Sequence, residues 1–131
     1  GGGSNLTVAE VVITSSFSTT STTFVDITGL TQSKPDVTDG NCFTIGSVTS
    51  YNNTTSKKNK FALDDNGSRV AFVSLQTDAG NASSLLSLSP MIDTSSADGN
   101  TIKMVMCVEG GTGYAYYSSD VAQPKICSMA I

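Results

Sequence analysis

The sequence feature that most restricts the fold is a set of short runs in which apolar residues recur at every second position. In residues 101–109, every second residue from Ile102 to Val108 is apolar, and Val105 and Cys107 lie between them. Side chains alternate between the two faces of a β-strand, so this spacing predicts an inner strand with two apolar faces. Shorter runs of β-type residues lie at 6–14, 22–30, 42–51, 114–117 and 126–131. None keeps the roughly 3.6-residue spacing of an amphipathic helix for more than one turn.

The clearest local signal is a β-hairpin. The apolar runs 61–63 and 70–73 flank a polar turn that contains Asn66 and Gly67. Both residue types tolerate a positive φ, which makes this pair a strong cue for a tight hairpin. The acidic residues of the turn also suggest a calcium loop, but the ligand spacing and the distal Glu of that motif are missing. The segment therefore predicts a turn between two antiparallel strands.

The choice of polar residues also favours strands. Ser, Thr and Asn are abundant, whereas Glu10 and Glu109 are the only glutamates. Exposed helix faces usually carry Glu, Lys, Gln and Arg, while Ser, Thr and Asn suit exposed strand faces and turns. Only residues 84–92 allow a short helix as an alternative, and Pro90 limits its length. We therefore expect an all-β domain of about nine short strands in a two-sheet antiparallel β-sandwich.

The length of the chain sets the domain organisation. A chain of 131 residues is long enough for one domain and short for two. Residues 1–5 are predicted to form a Gly-rich linker, and residues 6–131 a single β-sandwich domain. No apolar run approaches the roughly 20 residues that a membrane helix needs, so we expect no membrane insertion.

The charge of the chain argues against a nucleic-acid partner. The formal net charge is −4, whereas contacts to phosphate groups need clustered Lys and Arg. The only basic cluster comprises Lys57, Lys58 and Lys60, inside a polar stretch. A solvated loop or strand edge explains that cluster more simply. We therefore predict that the protein does not bind nucleic acid.

Three cysteines indicate the redox compartment. Cys42, Cys107 and Cys127 each lie among apolar neighbours in a strand-like segment. We favour three reduced, buried thiols, with one disulfide and an unpaired cysteine as the alternative. Reduced thiols indicate folding in a reducing cytoplasm, even for a protein that later leaves the cell.

The residue types that enzymes use most are missing. Without His, the chain lacks the common general base and the favoured zinc ligand. A pair of carboxylates is the remaining option, but Glu10, Asp26, Asp93 and Glu109 are candidates only by default. The Gly-rich run at 110–113 lacks the Lys and the helix of a phosphate-binding loop. We therefore predict no catalytic residue, no metal site and no cofactor.

Four tyrosines are candidate ligand-binding residues. Tyr114, Tyr116 and Tyr117 follow a glycine-rich turn, and Tyr51 precedes two asparagines. An exposed tyrosine combines an apolar ring with a hydroxyl group, which suits both sugar rings and protein partners. The alternative is that alternate residues of this strand fill the core and the sheet edge.

Several segments resemble, in order, a β-sandwich domain that is common in bacteriophage fibre and head-decoration proteins. Residues 18–30 (STTSTTFVDITGL) resemble its opening, and residues 61–70 (FALDDNGSRV) resemble its hairpin. Residues 98–103 resemble a later strand in which Asn100 replaces the usual His, and a closing strand at 126–131 completes the order. The resemblance implies a jelly-roll-like sandwich, often trimeric, that is carried on a virion and sometimes contacts host glycans. It supplies no functional residues.

The leading hypothesis is a non-enzymatic protein of the virion surface, a fibre tip or capsid decoration assembled in the host cytoplasm. The expected partners are further copies of the chain in a homo-trimer, other virion proteins and a host surface glycan. Met91, Ile92, Tyr114 and Tyr116 are the predicted contacts in the trimer. Two alternatives stay open: a carbohydrate-binding module of cellular origin, and a subunit of an extracellular filament or surface layer joined by edge-strand pairing.

Overall fold

The computed structural model describes residues 7–34, 41–76, 86–96, 101–120 and 123–130. These ranges contain no helix, and hence none that could span a membrane. Their ten strands are β1 (Thr7–Val12), β2 (Phe17–Thr19), β3 (Val25–Ser33), β4 (Asn41–Asn52), β5 (Lys58–Asp65), β6 (Ser68–Gln76), β7 (Leu86–Ser96), β8 (Thr101–Val108), β9 (Gly113–Ala115) and β10 (Lys125–Ala130). The predicted all-β fold is confirmed.

The strands form two sheets, and every pairing is antiparallel. Sheet 1 has the order β1-β10-β4-β9-β2, with β7 also paired to β4, and sheet 2 has the order β3-β8-β5-β6. Ser50 of β4 pairs with Ala115 of β9 and with Leu86 of β7. Since a strand has only two edges, β7 and β9 lie on opposite sides of β4, which is therefore the central strand of sheet 1.

The strand β8 supplies the centre of the core from sheet 2. Four of its alternating side chains are at most 2% exposed: Ile102, Met104, Met106 and Val108. On its other face, Val105 and Cys107 are each 4% exposed. Since β8 pairs with β3 on one edge and with β5 on the other, the predicted inner strand with two apolar faces is confirmed.

The central strand of sheet 1 lies close to sheet 2 at Gly46. A Cβ atom at this position would lie 2.8 Å from Leu63 Cδ2 and 3.2 Å from Met104 Cε. The missing side chain therefore lets the two sheets pack against each other here. Because residues alternate along a strand, Phe43 and Ile45 fall on the outer face of sheet 1, where both are partly buried.

The predicted hairpin forms between β5 and β6. Asn66 and Gly67 have φ values of 51° and 96°, as a tight turn with two left-handed residues requires. The Asp64 carboxylate accepts a hydrogen bond from the Gly67 N–H at 2.8 Å, so this acidic side chain stabilises the turn. The pairing register shifts between Leu63 and Asp64, which marks a β-bulge at the start of the hairpin.

Two strands, β7 and β2, could not be predicted clearly from the sequence. The described part of residues 84–92 belongs to β7, where Pro90 pairs with Ser47. Among the described strands β7 pairs with β4 alone. An edge strand tolerates proline because the backbone groups on its outer edge make no hydrogen bonds to a neighbouring strand. The sequence of the short strand β2 shows no clear alternation of apolar and polar residues. This strand forms because it pairs with β9.

Two fully buried asparagines, Asn52 and Asn59, fix the chain beside the end of β4. Asn52 Nδ2 donates to Asn59 Oδ1 at 2.8 Å and to the Gly110 carbonyl at 3.1 Å. Asn59 Nδ2 donates to Ser50 Oγ at 2.8 Å and to the Tyr51 carbonyl at 2.7 Å. With their amides bonded in this way, the two side chains can remain in the core, and they join β4 to β5 and to the loop after β8.

The start of β9 rests on this asparagine pair. A Cβ atom on Gly113 would overlap Asn59 Oδ1, so only glycine lets β9 lie this close to β5. Gly113 pairs with Asn52. As a result, the next residue, Tyr114, lies directly opposite Tyr51.

A buried ion pair joins the ends of β3 and β5. Lys34 Nζ lies 2.6 Å from Asp65 Oδ2, and the two side chains are 0% and 14% exposed. Removing two charges from water is costly, and their attraction offsets this cost only when the geometry is good. Ile102 of β8 pairs with both Asp65 and Gln32, so the ion pair spans three strands at one end of sheet 2.

We expect Asn59→Ala to lower the free energy of unfolding by about 3 kcal/mol, because it removes buried hydrogen bonds of Ser50, Tyr51 and Asn52. Urea denaturation measures the change. Asn53→Ala is the matched control: Asn53 is exposed and accepts a hydrogen bond from the Thr112 N–H at 2.9 Å. The control should lose less than about 1 kcal/mol. Equal losses for the two variants would contradict the role of the buried pair.

Candidate functional site

The structure brings together three of the four tyrosines that the sequence singles out. Tyr51 lies near the end of β4 and pairs with Tyr114 of β9. The Tyr116 N–H donates to the Thr49 carbonyl at 2.8 Å, which places Tyr116 beside Thr49, two residues before Tyr51. Directly opposed residues share a face of the sheet. The three tyrosines therefore form a cluster on the outer face of sheet 1, which we call the tyrosine cluster.

The rings of the tyrosine cluster pack at an angle to one another. The centroids of Tyr51 and Tyr114 are 5.0 Å apart with an interplanar angle of 41°. The centroids of Tyr51 and Tyr116 are 6.0 Å apart with an angle of 61°. These are favourable tilted and edge-on arrangements. Tyr51 is only 9% exposed, so Tyr114 and Tyr116, which are partly buried, provide the surface that a ligand can reach.

This geometry limits what the cluster can bind. The tilted rings form no common plane, so a sugar ring would stack on one tyrosine at a time. The phenol hydroxyls can donate and accept hydrogen bonds beside the apolar ring faces. The cluster therefore suits a small, partly apolar ligand with hydroxyl groups, or a side chain of a protein partner.

The structure places Tyr117 apart from the other three tyrosines. The Tyr117 N–H donates a hydrogen bond to Ser16 Oγ at 2.8 Å, and the Ser16 hydroxyl donates to the Tyr117 carbonyl at 3.2 Å. These bonds fix the segment after β9 to the residue before β2. Consecutive residues of an extended chain point to opposite sides, so Tyr117 does not extend the surface of Tyr116.

Part of the remaining outer face of sheet 1 is apolar. Val8 is 55% exposed and pairs with Met129, which in turn pairs with Phe43. In the next row, Cys127 pairs with Ile45 and with the exposed Glu10. Met129, Phe43, Cys127 and Ile45 are all partly buried. Local alternation alone did not reveal this surface, because Phe43 and Ile45 could equally have faced the core.

The predicted trimer contacts fall in two places. Tyr114 and Tyr116 belong to the tyrosine cluster, whereas Met91 and Ile92 lie in β7, where they pair with Gly46 and Ile45. The side chains of Met91 and Ile92 are outside the described part of the structure. Their part in an interface stays a prediction.

The outer face of sheet 2 carries charges. Lys103 Nζ lies 2.9 Å from Asp26 Oδ1, and the hydrogen bond that Lys103 donates to this carboxylate raises the pKa of Lys103. The Arg69 guanidinium lies 4.8 Å from the centroid of the Phe24 ring, within the range of a cation–π contact. The outer faces of both sheets therefore carry ion pairs, since Glu10 and Lys125 lie on the outer face of sheet 1.

The carboxylates considered for catalysis are separated. Glu10 lies 3.7 Å from Lys125, Asp26 bonds to Lys103, and Glu109 Oε1 accepts a hydrogen bond from the Lys58 N–H at 2.9 Å. Glu10 lies on sheet 1 and Asp26 on sheet 2, so these two cannot flank one bond as glycosidase carboxylates do. The Asp93 side chain is outside the described part. The described residues hold no group of three or more Cys, Asp or Glu that could bind a metal ion.

The three cysteines are free. Cys42 and Cys107 are buried, as predicted, and burial raises the pKa of the Cys107 thiol, which keeps it protonated. Cys127 is only partly buried, since it lies on the outer face of sheet 1 opposite Ile45. The expectation of three fully buried thiols was therefore wrong for Cys127.

Comparisons of sequence reveal no relative: no protein-family model and no curated protein matches the chain. Comparison of structures does find similar folds. A chain in a structure of infectious bursal disease virus, Gx strain, matches 97% of this chain at 11% sequence identity, with a TM-score of 0.50.

Two further matches come from the same virus. A chain of its Gt strain matches 95% of this chain at 10% identity, with a TM-score of 0.45. A mutant VP2 protein in derived T=1 particles also matches 95% at 10% identity, with a TM-score of 0.43. The present chain spans 37%, 31% and 35% of the three viral chains, and at this identity the first match shows a shared β-sandwich fold.

Proposed function

We propose that this chain is a structural domain of a virus particle and has no catalytic activity. The observation that carries the proposal is the shared fold, which covers 97% of the chain and belongs to a chain in a structure of a virus. One fold can serve many functions. The proposal therefore also requires surface residues that suit a structural role.

The described surface does agree with a structural role. Several charged groups on it are engaged in ion pairs or in hydrogen bonds to the backbone, namely Asp26, Glu10 and Glu109. The apolar part of the outer face of sheet 1, around Phe43 and Ile45, is suited to contacts with other proteins. Both features favour a protein that assembles over one that turns over a substrate.

Within this class we favour a domain of the virion surface, a bacteriophage fibre or capsid decoration that assembles in the host cytoplasm. The resemblance of residues 18–30 and 61–70 to such domains supports this choice. The second of these segments lies in the β5–β6 hairpin. The free state of Cys42, Cys107 and Cys127 is consistent with assembly in a reducing compartment.

Fractionation of particles tests the proposal. Antibodies against the purified domain should label intact particles purified on a density gradient, and mass spectrometry of the same fraction should detect peptides of the chain. Antibodies preadsorbed with the domain are the control. Finding the chain only among unassembled proteins at the top of the gradient would contradict the proposal.

A second proposal is that the tyrosine cluster contacts a host surface glycan. It is supported by two partly exposed phenols, Tyr114 and Tyr116, that stand beside the ring of Tyr51. Loss of a stacking ring typically costs more than about 1.4 kcal/mol, which is roughly a tenfold change in affinity. The same cluster would serve in a carbohydrate-binding module of cellular origin. The fractionation of particles distinguishes such a module from a domain of the virion.

We expect Tyr114→Ala and Tyr116→Ala each to weaken glycan binding at least about tenfold. A glycan array followed by titration calorimetry on the best ligand measures the change. Tyr117→Ala is the matched control, because Tyr117 lies outside the cluster and its bonds to Ser16 involve only its backbone. Equal effects at positions 114 and 117, or an array without binding, would rule out this role.

The homo-trimer and the contacts with other virion proteins are further proposals. They follow from the resemblance, and Met91, Ile92, Tyr114 and Tyr116 stay the predicted trimer contacts. A subunit of a filament or surface layer is the alternative, and it would show open-ended polymers rather than a closed assembly.

A further inference from the structure

The turn between β5 and β6 holds the only asparagine of the sequence that is followed by glycine, namely Asn66 before Gly67. Both residues are exposed. A Cβ atom built on Gly67 would contact nothing within 4 Å, so the space beside its backbone is open. The pair therefore places a side-chain amide next to a backbone nitrogen that no side chain shields.

These two groups can react with each other. The Gly67 nitrogen attacks Asn66 Cγ and forms a bond to it, and the side-chain amide nitrogen leaves as ammonia together with the proton that the Gly67 nitrogen gives up. The product is a cyclic imide. Water then opens this ring at either carbonyl group, which leaves an aspartate or an isoaspartate at position 66. The net change is the uptake of water and the release of ammonia.

The folded turn restrains the attacking nitrogen but not the amide that it attacks. The Gly67 N–H donates a hydrogen bond to Asp64 Oδ1 at 2.8 Å. This nitrogen must lose its proton in order to attack, and a carboxylate beside it opposes the loss. The Asn66 backbone N–H donates to the Thr101 carbonyl at 2.9 Å, whereas its side-chain amide has no hydrogen bond to another described residue. The amide therefore stays accessible while the nitrogen is held.

We propose that Asn66 is a deamidation site and that Asp64 delays the reaction in the folded protein. The attack requires the hydrogen bond between Gly67 and Asp64 to open, so the rate depends on how often the turn opens locally. Asp64 is a positioning residue in this scheme, because it exchanges no atom with the reacting groups. The inference rests on the chemistry of the turn and holds whether or not the chain belongs to a virus.

Both products weaken the hairpin. Each adds a negative charge to a turn that already carries Asp64 and Asp65. Isoaspartate also adds an atom to the backbone between residues 66 and 67. The turn closes directly between the paired residues Asp65 and Ser68, so a longer backbone changes its geometry. Deamidation therefore loosens the connection between β5 and β6 at one edge of sheet 2.

Peptide mapping by mass spectrometry tests the site on the whole folded chain, sampled during a long incubation in mildly alkaline buffer. The peptide that contains Asn66 should gain the mass difference between an amide and an acid, and it should separate into an aspartate and an isoaspartate form. Asn53 is the internal control: it is also exposed, but Thr54 follows it and its side-chain oxygen accepts hydrogen bonds. An unchanged mass for the Asn66 peptide, or equally fast conversion of Asn53, would overturn the proposed site.

Two variants test the role of Asp64 by the same measurement. Asp64→Ala removes the acceptor and should speed the conversion of Asn66 roughly fivefold, the factor that a typical hydrogen bond contributes to an equilibrium. Asp64→Asn keeps an acceptor oxygen and should react more slowly than Asp64→Ala. Circular dichroism with a thermal melt verifies that both variants fold. A rate for Asp64→Ala no higher than that of the wild type, or equal rates for the two variants, would contradict the delaying role.

Discussion

The packing of β8 against β4 is the contact on which the rest of the structure depends. Alternate side chains of β8, from Ile102 to Val108, fill the space between the sheets. Gly46 of β4 lets Leu63 and Met104 approach from sheet 2. Once β4 turns Gly46 inward, the alternation of the strand turns Phe43 and Ile45 outward. The outward position of these two apolar residues is therefore a consequence of the way in which the core closes.

The same core positions the candidate site. The buried Asn52 and Asn59 bind each other and the surrounding backbone, and Gly113 rests directly on Asn59. The register that follows sets Tyr114 opposite Tyr51. Rigid scaffolds commonly present binding residues in this way. A polar pair in the interior thus determines the arrangement of aromatic rings at the surface.

The sequence predicts features whose causes are local and misses those that depend on distant partners. The alternation in β8 and the turn at Asn66 and Gly67 are local, and the fold class follows from them. The strand β2 forms only because β9 lies beside it, and the asparagine pair depends on residues from several segments. The four tyrosines could be identified, but the exclusion of Tyr117 from the cluster required the register of β9.

Amide hydrogen exchange tests the central claim, that the sandwich is held together by β8 packed between its neighbours and β4. The account predicts that the inner amides of β8 exchange only when the whole domain unfolds, with an opening free energy equal to that from urea denaturation. The amides of the turn at Asn66 and Gly67 should exchange by local fluctuation and much faster. Exchange of the β8 amides as fast as those of this turn would contradict the account.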